Sequence, residues 1–374
     1  MSRSIIAGYV RSPFTFAKKG ELARVRPDDL AAQVIKQLLA KTGAKPEGIE
    51  DLIMGCAFPE GEQGMNIGRM AVFLSGLPVS VAGSTLNRFC GSSMDAIHIA
   101  AGKIALGAGE AFICAGVESM TRVPMGGFNP LPNPGLYASF PQAYDAMGKT
   151  AETVAKKYGI SRAEQEAFAL KSHQKASAAS FADEIVPITT KGGVVAKDGC
   201  IRADASLEKM ATLAPAFDAN GTVTAATSSP VSDGAAAVLV CSEAYADKHG
   251  LPKLAAIKSI ALDGVPPEIM GIGPVTAAQK ALTRAGLTLK DMDIIELNEA
   301  FAAQSLAVIR DLGLDESRLN LEGGAIAIGH PLGASGARIT GKAALLLHRN
   351  KAKYALATMC IGGGQGIATV LEKV

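Results

Sequence analysis

The sequence predicts an α/β protein built from two similar halves, and three observations lead to this prediction. Short apolar strands alternate with amphipathic helices along most of the chain, which is typical of a mostly parallel sheet covered by helices on both faces. One strand–turn–helix–strand unit occurs twice, at residues 81–118 and 323–364, which indicates a duplication. The chain has 374 residues, of which 48% are hydrophobic, so it is long enough to form two full cores.

The first half begins with a strand and then alternates. A helix is indicated where Pro27, Asp28 and Asp29 open an amphipathic run that Gly43 closes. We expect strands at residues 5–10, 52–56, 81–86 and 111–115, and further helices at residues 66–74 and from the turn after Cys90 to Ala105.

The composition changes in the middle of the chain. Residues 121–141 are dense in Pro, Gly and Asn, and the chain stays rich in loops to about residue 231. Two helices are expected within this region, at residues 150–157 and at 162–179, where Ser161 and Glu164 form a capping box. Core composition returns at residues 232–240. We therefore expect the segment between to be an insertion laid over the sheet.

The alternation resumes in the second half. We expect strands at residues 254–261, 293–297, 324–328 and 354–360, and helices at residues 275–285, 300–312 and 333–347. If the duplication holds, Cys90 and His330 occupy equivalent strand-to-helix turns in the two halves and meet at the centre.

Composition excludes several classes of function. Lys and Arg total 37 against 35 for Asp and Glu, and Trp is absent, which disfavours nucleic acid or an anionic membrane as the main partner. No apolar run approaches the ~18 residues of a membrane-spanning helix, and the N-terminus has a strand pattern without a secretion signal, so we expect a soluble cytoplasmic protein. The six cysteines form no CxxC pair and the five histidines lack ligand spacing, so we expect neither disulfides nor a metal site.

The stretch NRFCGSS places Cys90 at a turn from a strand into a helix. Backbone N–H groups and the positive end of the helix dipole favour a thiolate at such a position. The small residues that follow let a substrate carbonyl approach the sulfur and a backbone N–H together. The alternative is a buried, inert cysteine.

Three further stretches place reactive side chains at strand ends. Asn298 lies in ELNEAFAAQ, His330 in GGAIAIGHPLGASG and Cys360 in MCIGGGQG. Taken singly, Asn298 could cap a helix, His330 could order a turn and Cys360 could be a core thiol. Strand ends of α/β sheets point into one crevice, however, and together these groups supply a nucleophile, a base, oxyanion donors and a second acid/base. The sequence therefore predicts acyl transfer, and the second thiol indicates proton transfer to or from carbon or sulfur.

From Ile5 to Val374 these motifs resemble the thiolase family, in particular its 3-ketoacyl-CoA thiolases. The resemblance implies a duplicated five-layered αβαβα fold with an inserted loop domain. It places an N-terminal half at residues 1–119 and 232–251, a loop domain over the active site at 120–231, and a C-terminal half at 252–374.

The resemblance also implies roles for individual residues. Cys90 would be the acylated nucleophile, His330 its base, and Cys360 the second acid/base. Asn298 would hold the water that completes one oxyanion hole with His330, and the N–H groups of Cys90 and Gly362 would form the second hole. The residues expected to contact the acyl group or CoA are Met147, Arg202, Phe217, Ala225, Ser229, Ala300 and Phe301, with Arg202 at the nucleotide.

The implied activity is thiolytic cleavage of 3-ketoacyl-CoA to acetyl-CoA and a shortened acyl-CoA, with CoA as co-substrate and no permanent cofactor. The motif TSSPVSDGAA resembles that of the fatty-acid-oxidation enzymes. Ala146 points to the same group, because biosynthetic enzymes tend to carry His at that position. A biosynthetic acetoacetyl-CoA thiolase and a non-catalytic acyl-CoA-binding subunit stay open as alternatives. Thiolases are typically homodimers or homotetramers, and the oxidation type can pair with a hydratase/dehydrogenase subunit.

Glu322 departs from the family pattern, which has Asn there, and a carboxylate near the site would raise neighbouring pKa values or rebuild a hydrogen bond.

Overall fold

A computed structural model describes residues 3–374 of the chain and is built around one ten-stranded sheet. The strands of the protein are β1 (Ser4–Arg11), β2 (Thr15–Phe16), β3 (Asp51–Gly55), β4 (Ala82–Leu86), β5 (Ala111–Ser119), β6 (Ile188–Thr190), β7 (Gly193–Val195), β8 (Ser232–Ser242), β9 (Ala255–Gly264), β10 (Ile294–Leu297), β11 (Tyr354–Ile361) and β12 (Gln365–Glu372). All belong to this sheet except β6 and β7, which pair with each other in a separate two-stranded sheet. The helices are α1 (Pro27–Thr42), α2 (Ile67–Ser75), α3 (Ser92–Ala105), α4 (Pro134–Ser139), α5 (Met147–Tyr158), α6 (Arg162–Ala178), α7 (Leu207–Ala211), α8 (Glu243–His249), α9 (Gly273–Ala285), α10 (Ala302–Leu312), α11 (Ala325–Ile328) and α12 (Leu332–Arg349).

The sheet is mixed. Its strands follow the order β10-β11-β12-β9-β1-β8-β5-β3-β4, with β2 also paired to β8. Pairing is parallel for β3 with β4 and β5 and for β10 with β11, and antiparallel elsewhere. The sequence pattern favoured a mostly parallel sheet. The difference arises because a strand that returns through a short turn, as β12 does after β11, can pair only antiparallel.

The layers follow from the way alternate residues of each strand point to opposite faces. One face of the N-terminal strands packs against α1 and α2, and one face of the C-terminal strands packs against α9 and α10. The inner faces of both groups of strands enclose α3 and α12 in a single central core. Five layers result, as the resemblance implied, with α3 and α12 as the paired helices of the middle layer.

The duplication is visible in the sheet. The order β4-β3-β5-β8-β1 in one half matches β10-β11-β12-β9 in the other, and the halves join where Ile5 and Ile6 pair with Ala256 and Ala255. The counterpart of β4 is reduced to a single bridge between Ile295 and Leu319. The strand expected at residues 324–328 is absent, because those residues form the helical turn α11. Apolar residues that alternate with small ones fit a buried turn as well as a buried strand.

Most other expected elements are present, with ends shifted by a few residues. Seven elements were not expected. Five are short: β2, α4, β6, β7 and α7. The others are α8, which follows β8 directly, and β12, whose first residues lie in the glycine-rich stretch after Cys360. Within residues 3–374, the helices are all too short or too polar to traverse a lipid bilayer.

Gly336 lets α12 approach α3 closely, because a Cβ added there would overlap the backbone N of Met94. A Cβ added at Gly116, on β5, would overlap the carbonyl O of Gly333, so α12 also lies close against that strand. The first turns of α3 and α12 therefore touch through backbone atoms, which fixes the turn that carries Cys90 relative to the turn that carries His330.

Candidate active site

Cys90 lies in a strained turn between β4 and α3. The turn is one 3₁₀ segment, Phe89–Gly91, and Phe89 has a φ of 41°, a left-handed value that is rare for a bulky residue. The side chain of Ser92 holds the turn by accepting from the N–H of Arg88 at 2.9 Å and donating to the carbonyl O of Phe89 at 2.6 Å. The sequence predicted a turn at the helix start, and the structure has one.

The environment of Cys90 differs from the expectation of a stabilised thiolate. Burial raises the pKa of the thiol to about 11, and the negative charge of Glu118 acts in the same direction. The backbone N–H groups of Gly362 and of Cys90 itself lower that pKa, as predicted, but their effect is smaller than that of burial. Cys90 therefore needs a base before it can act as a nucleophile.

A second buried thiol lies beside the first. Cys360 is the penultimate residue of β11 and has 1% of its surface exposed, and Gly362 follows in the turn to β12. Burial and the neighbouring Cys90 raise the pKa of the Cys360 thiol well above its ordinary value. The structure thus brings together the two predicted thiols and the predicted N–H donor of Gly362.

The imidazole of His330 is buried and hydrogen-bonded on both nitrogens. Its Nδ1 lies 2.6 Å from the hydroxyl of Ser335, and its Nε2 lies 3.3 Å from Nδ2 of Asn298. The Ser335 hydroxyl donates to the carbonyl O of Pro331 at 3.0 Å, so it accepts from Nδ1–H, and Nε2 keeps its lone pair. Burial and the charge of Arg338 lower the pKa of His330 to about 3. The side chain is therefore a neutral base.

Asn298 follows β10 directly. It does not cap a helix, since α10 begins four residues later and its N-cap residue is Phe301. The backbone N–H of Asn298 donates to the carbonyl O of Thr358 at 3.1 Å. This bond holds Asn298 against β11, three residues before the end of that strand. The Oδ1 of Asn298 is buried and has no hydrogen-bond partner among residues 3–374. Asn298 thus connects His330 to the strand that carries Cys360.

The residues expected along the acyl and pantetheine channel divide into two groups. Ala300, Phe301 and Met147 pack around Cys360, and the Met147 sulfur also lies against Gly362. The ring of Phe217 meets that of Phe301 edge to face, with centroids 5.9 Å apart, and the N–H of Ser229 donates to the carbonyl O of Ala300 at 3.0 Å.

Arg202 and Ala225 lie apart from this group, at a cavity of about 270 Å³. Phe16, His173, Lys209, Ser228 and Pro230 also line it. The guanidinium of Arg202 lies 5.4 Å from the centre of the Phe16 ring. Because Ser228 also pairs with Phe301, the cavity adjoins the residues that pack around Cys360.

Glu322 binds cations of α12 rather than any of the side chains predicted to be catalytic. Its carboxylate binds Lys342 and Arg349, both on the C-terminal part of α12, away from His330. Lys342 in turn lies 2.9 Å from Glu184, which binds Arg11 at 2.7 Å. Glu322 therefore belongs to a network of ion pairs that attaches the inserted segment to the central layer.

Several residues at the site were missed by sequence reasoning. Ser335 fixes the tautomer of His330, the hydroxyl of Ser232 accepts from the backbone N–H of His330 at 2.8 Å, and Met270 packs beside Cys360. Glu118 accepts from the backbone N–H of Gly333 at 2.8 Å and from Ala57 at 2.8 Å. No sequence pattern distinguishes a serine or methionine that supports a site from one that only packs in the core. Only the tertiary contacts identify these residues as part of the site.

The arrangement supplies the groups that acyl transfer between thiols requires: a nucleophile, a neutral base, an N–H donor and a second thiol. Across residues 3–374, no three His, Cys, Asp or Glu side chains are grouped in a way that would hold a metal ion.

Family comparisons cover nearly the whole chain. A model of the thiolase N-terminal domain matches residues 4–244, and a model of the thiolase C-terminal domain matches residues 251–373. The chain is 47% identical to the 3-ketoacyl-CoA thiolase of Bacillus subtilis (strain 168) over 389 aligned residues. It is 49% and 50% identical to proteins of the same name from Shewanella sp. (strain MR-7) and Shewanella denitrificans, and each alignment covers both chains fully.

Proposed function

The chain belongs to the thiolase family and is an acyltransferase that cleaves 3-ketoacyl-CoA with CoA, and we propose that Cys90 carries the acyl group between the two half-reactions. The two turns that carry Cys90 and Cys360 adjoin, with Gly91 against Ile361, and the N–H of Gly362 is directed at Cys90; this arrangement supports the proposal most strongly. Hydrolysis needs one thiol, whereas thiolysis has to protonate a carbon and deprotonate a second thiol.

In the first step His330 takes the proton of Cys90 at Nε2, and the thiolate attacks the 3-keto carbon. The neutral state and the Nδ1–H tautomer of the imidazole support this role. The oxyanion that forms needs donors already in place. The N–H groups of Cys90 and Gly362 supply one such pair.

The bond between C2 and C3 then breaks, leaving the acyl group on Cys90 and the electron pair on C2 of the acetyl-CoA fragment. Cys360 donates its proton to that carbon, and its pKa, raised by burial, keeps the proton in place until this step. The thioester oxygen of acetyl-CoA is held by His330 and by a water on Asn298. The unpartnered Oδ1 of Asn298 supports that assignment.

In the second step the Cys360 thiolate removes the proton of incoming CoA. The CoA sulfur attacks the acyl group on Cys90, which leaves as thiolate and takes back its proton. All steps are reversible, so the same groups condense two acetyl-CoA molecules when the concentrations favour it.

We assign the channel to residues 120–231, proposed as a loop domain, together with the strand ends of the C-terminal half. Met147, Phe217, Ser229, Ala300 and Phe301 are proposed to contact the acyl and pantetheine parts. Arg202 and Ala225 are proposed to contact the nucleotide, supported by the position of Arg202 at the 270 Å³ cavity.

We further propose that the enzyme acts in fatty-acid oxidation, as a cytoplasmic homodimer or homotetramer. Six free, buried cysteines fit a reducing compartment. The edge strand β4 supports self-association, because no strand within residues 3–374 pairs with its outer edge and the nearby Met65 and Val79 are 86% and 76% exposed.

The test measures CoA-dependent loss of 3-ketoacyl-CoA, with acetoacetyl-CoA and a medium-chain substrate compared. Cys90→Ala should lower the rate at least about a thousandfold, because the nucleophile is lost. Cys114→Ala is the matched control, since Cys114 is also a buried thiol but lies in the middle of β5. Mass spectrometry of protein quenched during turnover should find the acyl group on the peptide that contains Cys90.

Other outcomes separate the alternatives. If acetyl-CoA condensation is fast and only acetoacetyl-CoA is cleaved, the protein is a biosynthetic thiolase. If no 3-ketoacyl-CoA is cleaved while CoA esters bind equally well to the wild type and to Cys90→Ala, the protein is a non-catalytic acyl-CoA-binding subunit.

A further inference from the structure

Strand β10 and the region of α12 are connected by two side-chain contacts. In the first, Asn298, just after β10, donates to His330, just before α12, over 3.3 Å. In the second, Glu296 of β10 lies 3.7 Å from Arg338 of α12. Glu296 precedes Asn298 by two residues, so their side chains leave the chain on the same face. The proposed catalytic pair and this buried charge pair therefore lie side by side between the same two elements.

Arg338 depends on Glu296 for its counter-charge. Both are fully buried, with 1% and 0% of their surface exposed. Among residues 3–374, Glu296 is the acidic group that lies within 4 Å of the Arg338 guanidinium, and both Nε and Nη2 of Arg338 lack a hydrogen-bond partner. A buried cation with a single, imperfectly bonded partner keeps a strong field when that partner is neutralised.

The other charged groups nearby have ion-pair or hydrogen-bond partners of their own. Lys342 binds Glu184 and Glu322, and Glu184 also binds Arg11. Glu299 accepts from Ser172 at 2.6 Å and from Asn320 at 2.7 Å. The groups that face Glu296 or the adjoining phenol of Tyr9 are Arg338 and Lys342 from α12, Glu184 from the inserted segment, Glu299 after β10, and Arg11 from β1.

We propose that Glu296 is a positioning residue for the proposed base: its carboxylate neutralises Arg338 and so allows His330 to accept the proton of Cys90. The inference rests on the role of His330 given under the proposed function. When Glu296 is neutral, the free charge of Arg338 opposes the imidazolium that forms as Cys90 loses its proton. Strand β10 thus contributes twice, through the amide that holds the imidazole and through the carboxylate that controls the field at it.

The ionisation of Glu296 gives the proposal a distinctive pH dependence. Burial raises the pKa of Glu296 to about 7. At pH 8 the carboxylate is mostly ionised and Arg338 is compensated. At pH 6 it is mostly protonated, so the wild type then resembles a variant without the carboxylate.

The experiment measures the rate at which iodoacetamide alkylates Cys90, by mass spectrometry of the peptide that contains it, at pH 8 and pH 6. The proteins are the wild type, Glu296→Gln, the double variant Glu296→Gln/Arg338→Met, and His330→Asn. We expect Glu296→Gln to be about tenfold slower than the wild type at pH 8 and nearly equal to it at pH 6. The double variant should return to within about twofold of the wild type at pH 8, because cation and anion are then both absent.

The controls separate failure of this inference from failure of the proposed function. If His330→Asn alkylates at the wild-type rate, the role of His330 is wrong and the inference falls with it. If His330→Asn is slow but Glu296→Gln matches the wild type at both pH values, only the inference is overturned. It is also overturned if the double variant is as slow as Glu296→Gln, since lost packing would then explain the effect.

Should Glu296→Gln not fold, Arg338→Met carries the test. Without the opposing cation, Cys90 should alkylate at or above the wild-type rate at pH 8. A rate tenfold below the wild type would overturn the proposal.

Discussion

At the scale of single residues, the state of His330 depends on one hydroxyl. Ser335 accepts the Nδ1 proton over 2.6 Å, so Nε2 keeps the lone pair that the proposed base needs. In Ser335→Ala the imidazole can place its proton on Nε2 and, once the Asn298 amide rotates to exchange Nδ2 for Oδ1, donate to that oxygen. We expect acylation of Cys90 to slow by about tenfold, measured by quenched mass spectrometry at pH 7.

Thr340→Val is the control for Ser335→Ala. Thr340 is equally buried in α12 and also donates to the carbonyl O four residues earlier, but it has no contact with His330. Equal slowing in both variants would show that the helix, and not the tautomer of His330, is responsible.

Glu322 provides a second prediction at this scale. Because its carboxylate binds Lys342 and Arg349, Glu322→Asn should lower the free energy of unfolding by about 1–3 kcal/mol and leave kcat within about twofold. Chemical denaturation and a thiolysis assay check the two halves of this statement. The control is Glu316→Gln, which removes an exposed pair with Lys171 and should cost less than about 0.5 kcal/mol. A gain in kcat for Glu322→Asn would mean that the carboxylate acts on the site after all.

These residues also show how far the sequence can predict a site. Cys90, His330, Asn298 and Cys360 were predicted as one site because each stands near a strand end within a distinctive motif, and the structure gathers them in one region. The sequence did not predict the direction in which the pKa of the Cys90 thiol is shifted. The sequence indicated a helix N-terminus that favours the thiolate, whereas the folded chain buries Cys90 and raises its pKa to about 11. Burial is a property of the assembled layers, and no local pattern carries it.

At the scale of elements, the middle layer depends on backbone contact between α3 and α12. Gly336→Ala would force a Cβ into the backbone N of Met94, and the helices would have to separate. We expect this to cost about 2 kcal/mol of stability and to lower the rate of thiolysis, because the turns of Cys90 and His330 move apart. Thermal unfolding and the CoA-dependent assay measure both effects.

Gly102→Ala, in the exposed part of α3, is the matched control for Gly336→Ala. Its added Cβ would meet no atom within 4 Å, so it should raise stability by about 0.5–1 kcal/mol through helix propensity. If Gly336→Ala is also stabilising, the close approach of the two helices does not limit the packing of the middle layer.

Element type was harder to predict where tertiary structure decides it. Residues 324–328 were expected as a strand, but they form α11, whose start is fixed by Glu299 accepting from the N–H of Ile326 at 3.2 Å and Ser172 accepting from that of Gly324 at 3.0 Å. Both acceptors lie far away in the sequence. The long amphipathic helices were predicted within a few residues, because their caps and periodicity are local.

At the scale of the whole molecule, three histidines are held neutral by burial. The pKa of His98 and that of His330 are lowered to about 3, and that of His173 to about 4, with burial as the main cause in each. Below their ordinary pKa of about 6.5 the unfolded chain binds protons that the folded chain does not. Each of these histidines therefore contributes stability that is complete above pH 6.5 and is lost as the pH falls towards the folded value.

His98 makes this linkage testable, because it joins the two halves: its Nε2, on α3, lies 2.8 Å from the hydroxyl of Thr369 on β12. His98→Gln should lower the free energy of unfolding at pH 7.5. The difference from the wild type should shrink by about 1.4 kcal/mol per pH unit below 6.5, because the wild type loses stability there through His98 and the variant has no histidine at this position. Thr369→Val removes the same contact but keeps the histidine, so its cost should stay nearly constant between pH 7.5 and 5. Urea denaturation at intervals across this range distinguishes the two. A cost for His98→Gln that does not change with pH would mean that His98 is not held neutral. The acid sensitivity of the contact between the halves would then have to arise from the buried carboxylates.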